Sequence, residues 1–231
     1  MINKFIIIGI VVIILILITI LYFFFKKNYK HKTLIDTPQF LVDNYNKIIS
    51  FDNLPPSNEG VKYTYTFFLF IKNIPENAHW NLDYDLPKGI ISRYNSPNVY
   101  YLPSKHILQI VIGYKDNYNT ISKYTFELDN LKIQTWEHIS IVVSNRMVSI
   151  YLNSIIQKSI FLPNVPWLSN KFLYLGQSNN NFNGYISNLE YFNTDLNNDK
   201  IHNIYSQVNK LPKKLSSYSE YYYNKNKNSK Q

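Results

Sequence analysis

Hydrophobic and polar positions follow three different patterns along this chain. From Phe5 to Phe25 the sequence FIIIGIVVIILILITILYFFF has no charged residue and no Pro. At about 1.5 Å rise per residue such a run spans roughly 30 Å, the thickness of a bilayer's hydrocarbon core. It predicts one transmembrane helix, because it is longer than the apolar core of a cleaved leader and no small-x-small site follows it. Residues 26–59 hold Lys and Asn clusters together with Pro38, Pro55 and Pro56. They read as a basic juxtamembrane linker with a short helix from about Phe40 to Ile49.

From residue 60 the pattern changes to short apolar stretches cut by Asn, Pro, Gly or Ser, the spacing of a β-sandwich or barrel. Tyr63 to Lys72 begins with alternation and becomes continuously apolar, as a central strand covered on both faces would. Further strands are expected at Gly89 to Arg93, Val99 to Leu102, Ile107 to Tyr114 and Ser122 to Leu128. In Trp136 to Leu152, Ile139, Ile141 and Val143 alternate, Ser144-Asn145-Arg146 offers a turn, and Val148, Ile150 and Leu152 alternate again. That is a β-hairpin. Strands are also expected at Ile155 to Leu162, Phe172 to Gly176 and, after the Asn183-Gly184 turn signal, Tyr185 to Phe192. One helix follows, capped by Asn197, with Ile201, Ile204 and Tyr205 on one face, packed on the sandwich edge. The organisation is therefore an N-terminal flank at 1–4, a span at 5–25, a linker at 26–59, a β domain at 60–207 and a Lys/Asn/Ser-rich tail at 208–231 expected to be disordered.

Charge refines this picture. The formal net charge of +9 is unevenly placed: +2 over residues 1–59, +2 over 60–207 and +5 over 208–231. The β domain is nearly neutral, so no nucleic-acid face is expected. Lys26, Lys27, Lys30 and Lys32 follow the apolar run and suit contact with anionic headgroups, each worth on the order of 1 kcal/mol near the surface. There is no Cys, and no Asn-x-Ser/Thr triplet despite abundant Asn. With the Lys excess behind the span, these absences favour a domain on the cytoplasmic side.

The landmarks Trp136-x-His138-Ile139, Val148-x-Ile150-Tyr151-Leu152-Asn153, Leu173-Tyr174-Leu175-Gly176 and Phe182-Asn183-Gly184-Tyr185-Ile186-Ser187-Asn188-Leu189, ending in Ile201-x-x-Ile204-Tyr205, occur in that order. Residues 60–207 thereby resemble the concanavalin A-like, laminin-G-like jelly-roll domains, most of all the membrane-anchored members encoded by large DNA viruses. The resemblance implies an all-β fold of two antiparallel sheets packed face to face. It also implies binding of carbohydrate or protein through loops at one rim or through one sheet. The usual Asn-Gly after the hairpin is here Asn153-Ser154, in a turn that requires φ > 0.

Candidate chemistry is sparse. Glycanases of this superfamily alternate two Glu and an Asp on one strand, because retaining hydrolysis needs carboxyl groups about 5–5.5 Å apart. Glu127-Leu128-Asp129 begins that way, but Leu131 stands where the second Glu should. No Gly-x-Ser-x-Gly elbow, His-Glu-x-x-His or phosphate loop occurs. The chain therefore reads as non-enzymatic, with no cofactor. Asp83 and Asp85, two apart in a predicted loop, are the best pair for a calcium ion, and two acids are few for one. Trp80 and Trp167, in predicted loops, could stack on a sugar or simply pack. Arg93 could bind an anion or cap a strand end, Trp136 is expected as a buried core ring, and His138 as a structural histidine. Three functions remain open: a membrane-anchored binding module for a protein or glycan, a structural protein tethering a protein layer to the bilayer and, ranked below both, a glycanase-like enzyme.

Overall fold

The computed structural model describes residues 12–19, 31–41, 47–55, 60–72, 86–176 and 182–211. Within the expected span, residues 12–19 form a helix, α1, whose apolar side chains are exposed. The rest of Phe5 to Phe25 lies outside the described residues, among which no helix is long and apolar enough to cross a membrane. The tail beyond Leu211 also lies outside them.

The strands are β1 (His31–Ile35), β2 (Gln39–Phe40), β3 (Lys47–Ile49), β4 (Lys62–Ile71), β5 (Lys88–Ser92), β6 (Asn98–Leu102), β7 (Ile107–Lys115), β8 (Ile121–Leu128), β9 (Trp136–Ser144), β10 (Met147–Leu152), β11 (Ile155–Phe161), β12 (Leu173–Leu175) and β13 (Gly184–Phe192), followed by helix α2 (Asn198–Tyr205). They build two antiparallel sheets. One runs β1-β13-β4-β9-β10-β11 with β2 also on β13, and the other runs β3-β12-β5-β6-β7-β8. This is an all-β, two-sheet antiparallel sandwich closed by one short C-terminal helix.

Side-chain parity explains the packing. A strand sends successive residues to opposite faces, so β9 aims Ile139, Ile141 and Val143 between the sheets, where they meet Tyr65, Phe67 and Leu69 of β4 and Leu108, Ile110 and Ile112 of β7. As expected, β4 is central, flanked by β13 and β9 and buried from Tyr63 to Ile71. The same parity corrects the reading of Trp136. It falls on the outer face, half-buried, and packs with Phe70 and Tyr185 in a satellite cluster rather than in the core.

Three more expectations change. The helix expected over Phe40 to Ile49 is replaced by strand at both its ends, where Gln39–Phe40 pairs with β13 and Lys47–Ile49 with β12, and residues 42–46 lie outside the described residues. Strand edges open in β13 and β12 outweigh local helical preference, and Leu34, Ile35, Leu41, Ile49 and Leu54 join the core. The chain is thus part of the sandwich from His31 onward, and Lys32 pairs with Tyr191 instead of standing in a linker. Asn183-Gly184 does not join sheet neighbours, since β12 and β13 lie in different sheets. Gly184 is required for space: a Cβ there would lie 2.3 Å from the Phe70 carbonyl oxygen. Finally, Asn197 does cap α2, accepting from the Lys200 amide at 3.1 Å. The helix, however, lies on the outer face of the seven-stranded sheet, where Ile201 is buried with Val142, Phe192 and Leu196.

Candidate functional site

The outer face of the six-stranded sheet carries one cross-strand row, Ile48, Tyr174, Ser92, Asn98, Val111 and Thr125, drawn from all six strands by their register. Where this row meets the β5–β6 loop the surface holds a depression of about 450 Å³. Ser92 and Asn98 line it from the sheet, Tyr94 and Asn95 from the loop, and Phe172 and Tyr174 from β12 and its approach. Tyr94, Phe172 and Tyr174 are exposed aromatic rings. Lys123 and Lys171 complete the lining, which among the described residues contains no carboxylate.

Local sequence holds this shape. Tyr94 and Asn95 both adopt left-handed φ, at 49° and 63°, and Asn98 secures them. Its side-chain oxygen accepts from the amides of Arg93 and Asn95 at 2.9 Å, and its amide group donates to the Asn95 side chain at 2.9 Å and the Tyr100 hydroxyl at 3.0 Å. Beneath the loop, Gly113 of β7 donates its N–H to the Asn95 carbonyl at 2.7 Å and accepts from the Trp167 N–H at 2.8 Å. A Cβ on Gly113 would crowd Asn95 at 3.3 Å. One glycine therefore joins the two loops that border the depression.

Arg93 joins them from inside. Its side chain is only 2% exposed, and its guanidinium donates to the Tyr65 hydroxyl at 2.7 Å and to the Ser169 carbonyl at 2.9 Å. Tyr63, Tyr65 and Tyr191 pack against one another beside it, Tyr65 edge-on to the other two rings. Burial pushes the hydroxyls of Tyr63 and Tyr65 above their ordinary range, and the Arg93 charge opposes that shift. The loop carrying Lys171 and Phe172 is thus anchored through Ser169 to a cation in the core. Arg93 is buried beneath the loop and is not among the residues that line the depression.

A model of the concanavalin A-like lectin/glucanases superfamily, of laminin-G type, matches residues 43–202. The chain belongs to the concanavalin A-like lectin/glucanases superfamily. Among curated proteins no relative matches. Among solved structures the chain is similar to the binding domain of botulinum neurotoxin serotype D, with TM-score 0.53 and 12% identity over 78% of this chain and 46% of that one. A second structure, the receptor binding domain of botulinum neurotoxin D, gives TM-score 0.52 and 12% identity over 78% and 48%. The chain spans about half the length of these structures, and at such identity the likeness is one of fold.

On this concanavalin A-like frame the other expected residues are scattered. Trp80, Asp83 and Asp85 lie outside the described residues, among which no three His, Asp or Glu group to hold a metal ion. Trp167 is half-buried at the rim with the Lys115 ammonium 5.7 Å over its ring, and it does not line the depression. Glu127 and Asp129 are exposed at the end of β8, and Leu131 packs into the core. His138 lies buried beneath α2, its Nε2 3.4 Å from the Ser140 hydroxyl, its Nδ1 without a partner among the described residues, and its ring against Phe68 and Tyr205. Burial lowers its pKa to about 3, so it is a neutral structural histidine. The lining residues were not singled out from sequence. Tyr174 carried a readable signal, since in Leu173-Tyr174-Leu175 the middle ring of an alternating strand must face away from the core.

Proposed function

We propose that this chain is a non-catalytic recognition module, tethered to a membrane by Phe5 to Phe25, whose depression on the six-stranded sheet takes a glycan. One observation carries the reading: Tyr94, Phe172 and Tyr174 expose three rings around one depression that also offers two ammonium groups, the Ser92 hydroxyl and the Asn95 amide. Aromatic faces stack on the apolar faces of sugar rings, amides and hydroxyls pair with sugar hydroxyls, and the lysines favour acidic sugars. Among the described residues no acid/base carboxyl pair of the kind hydrolysis needs lines the depression, which supports the non-catalytic reading. Glycan-array binding by the full chain in detergent tests this. Tyr174→Ala should lower affinity by about tenfold, or ~1.4 kcal/mol, with the melting temperature unchanged. An array with no binder for the wild-type chain removes the glycan.

A second reading has its own support. The Lys26, Lys27, Lys30 and Lys32 cluster, the missing Asn-x-Ser/Thr triplets and the missing cysteines favour the cytoplasmic or virion-interior side. There the module would tether a protein layer to the bilayer, as the resemblance to membrane-anchored members of large DNA viruses suggests. Protease added to intact cells or particles separates the two readings. Removal of the domain fits external glycan recognition, and protection fits the internal tether.

A further inference from the structure

The strands of the sandwich end at two opposite rims. At one of them β1 begins, because His31 pairs with Phe192, the last residue of β13. That rim also carries the β9–β10 turn, since Ser144 pairs with Met147 and with Lys62 at the start of β4. The chain after β11 crosses there to the other sheet, with the Leu162 N–H on the Arg146 carbonyl and the Lys115 N–H on the Val165 carbonyl. It therefore includes the β7–β8 loop and, through the bond from Gly113 to Asn95, the β5–β6 loop.

Loop tips at this rim expose apolar side chains that come from separate parts of the chain. Tyr118 is 88% and Phe161 75% exposed, and Met147 and Val165 are exposed as well, while Tyr94 and Phe172 beside them line the depression. Lys115, Arg146 and Lys171 stand exposed among them. Aromatic rings mixed with Lys and Arg are the composition of a protein surface at the headgroup level of a bilayer.

Chain length selects the same rim independently. Only residues 26–30 separate Phe25 from His31, and whatever their conformation, those six steps reach at most about 20 Å. Strands of nine or ten residues hold the two rims about 30 Å apart. Were the opposite rim toward the membrane, His31 would stand beyond the reach of the apolar run, and the headgroup layer would shorten that reach further. The expected linker of residues 26–59 would have allowed any orientation.

We infer that the rim where β1 begins rests on the bilayer, with Tyr118 and Phe161 in the headgroup layer and the depression opening beside it. The inference rests on the membrane tether proposed above. The chain has no Cys, so Tyr118→Cys, Phe161→Cys and, on the opposite rim, Ile156→Cys each accept one fluorophore. The labelled full-length variants are reconstituted in vesicles of phosphatidylcholine and phosphatidylserine containing nitroxide-labelled lipid, and alkaline carbonate extraction scores the tether separately. The expected result is a chain that resists extraction, with emission lost at positions 118 and 161 and kept at 156. A chain that resists extraction but is quenched no more at 118 and 161 than at 156 overturns the orientation and leaves the tether standing. A chain released by carbonate overturns the tether and the orientation with it.

Discussion

The two sheets share one core but treat their outer faces in opposite ways. On the seven-stranded sheet the outward residues Thr66, Phe68, His138, Ser140 and Val142 are buried, Ile201 of α2 closes over Val142 and Phe192, and Tyr205 faces His138. On the six-stranded sheet the outward residues Ile48, Tyr174, Lys123, Thr125 and Glu127 are exposed, and only Asn98 and Val111 of the cross-strand row are buried. Among the described residues the one α-helix outside the apolar N-terminal run, α2, lies against the first face. A covered outer face adds a second layer of burial to the sheet that holds the central strand. An open one leaves side chains exposed without disturbing the core, and the depression with its three rings lies on that face.

The contrast should be largest in stability. Ile201→Ala removes buried methyl groups from the Val142, Phe192 and Leu196 cluster and is expected to lower the unfolding free energy by about 3 kcal/mol. Tyr174→Ala on the open face should change it by less than about 0.5 kcal/mol. Chemical denaturation of both variants measures this directly. Equal losses would show that the open face is as structural as the covered one.

Acid should act on the covered face next. His138 is neutral in the fold with its pKa lowered to about 3, against about 6.5 in an unfolded chain. Below pH 6.5 the unfolded chain takes up a proton that the folded one refuses until about pH 3, so stability falls as pH falls across that window. The slope is about 1.4 kcal/mol per pH unit, or about 2 kcal/mol between pH 6.5 and 5. His138→Gln should flatten that part of the stability profile, whatever its effect at pH 7. An unchanged slope in the variant would mean that other groups set the acid response.

Arg93 ties the interior to the open face, and its loss should register on both. Arg93→Met leaves the Tyr65 hydroxyl and the Ser169 carbonyl without the donors they now have, at a cost of about 1.5 kcal/mol. Amide exchange at Lys171, whose N–H donates to the Ser169 hydroxyl at 3.1 Å, should quicken as that loop loosens. Slow exchange in the variant would show that Gly113 alone positions the loop.

Much of the sandwich was legible because alternation is a local signal. Ile139, Ile141 and Val143 marked β9 and its core face, and the same count already placed Trp136 on the opposite side. Asn197 announced its helix by chemistry within one turn. β1, β2 and β3 were hidden because strands of two to five residues form only where β13 and β12 offer an edge, which no local pattern encodes. The depression was hidden for a related reason: Tyr94, Lys123 and Tyr174 meet only through the order of strands in the sheet. Arg93, a charge among apolar strands, was visible as unusual, but its burial among three tyrosines follows from the packing of β4 and β13 against β5.

The smallest effect tests how closely the covered face depends on its turns. Asn153 and Ser154 between β10 and β11 both adopt left-handed φ, at 50° and 64°. A side chain in that region is strained by roughly 1 kcal/mol or more, whereas glycine accepts it freely but loses more entropy on folding. Ser154→Gly should therefore stabilise the chain by about 0.5 kcal/mol, the entropy of glycine offsetting part of the relieved strain. Against this stands one contact, the Ser154 hydroxyl 3.2 Å from Nδ1 of His202 on α2, which is exposed and so worth little. A gain in thermal stability confirms that backbone strain outweighs that contact. A loss would mean that the turn helps to hold α2 in place, and the covered face would then depend on its rim as well as on the apolar cluster under the helix.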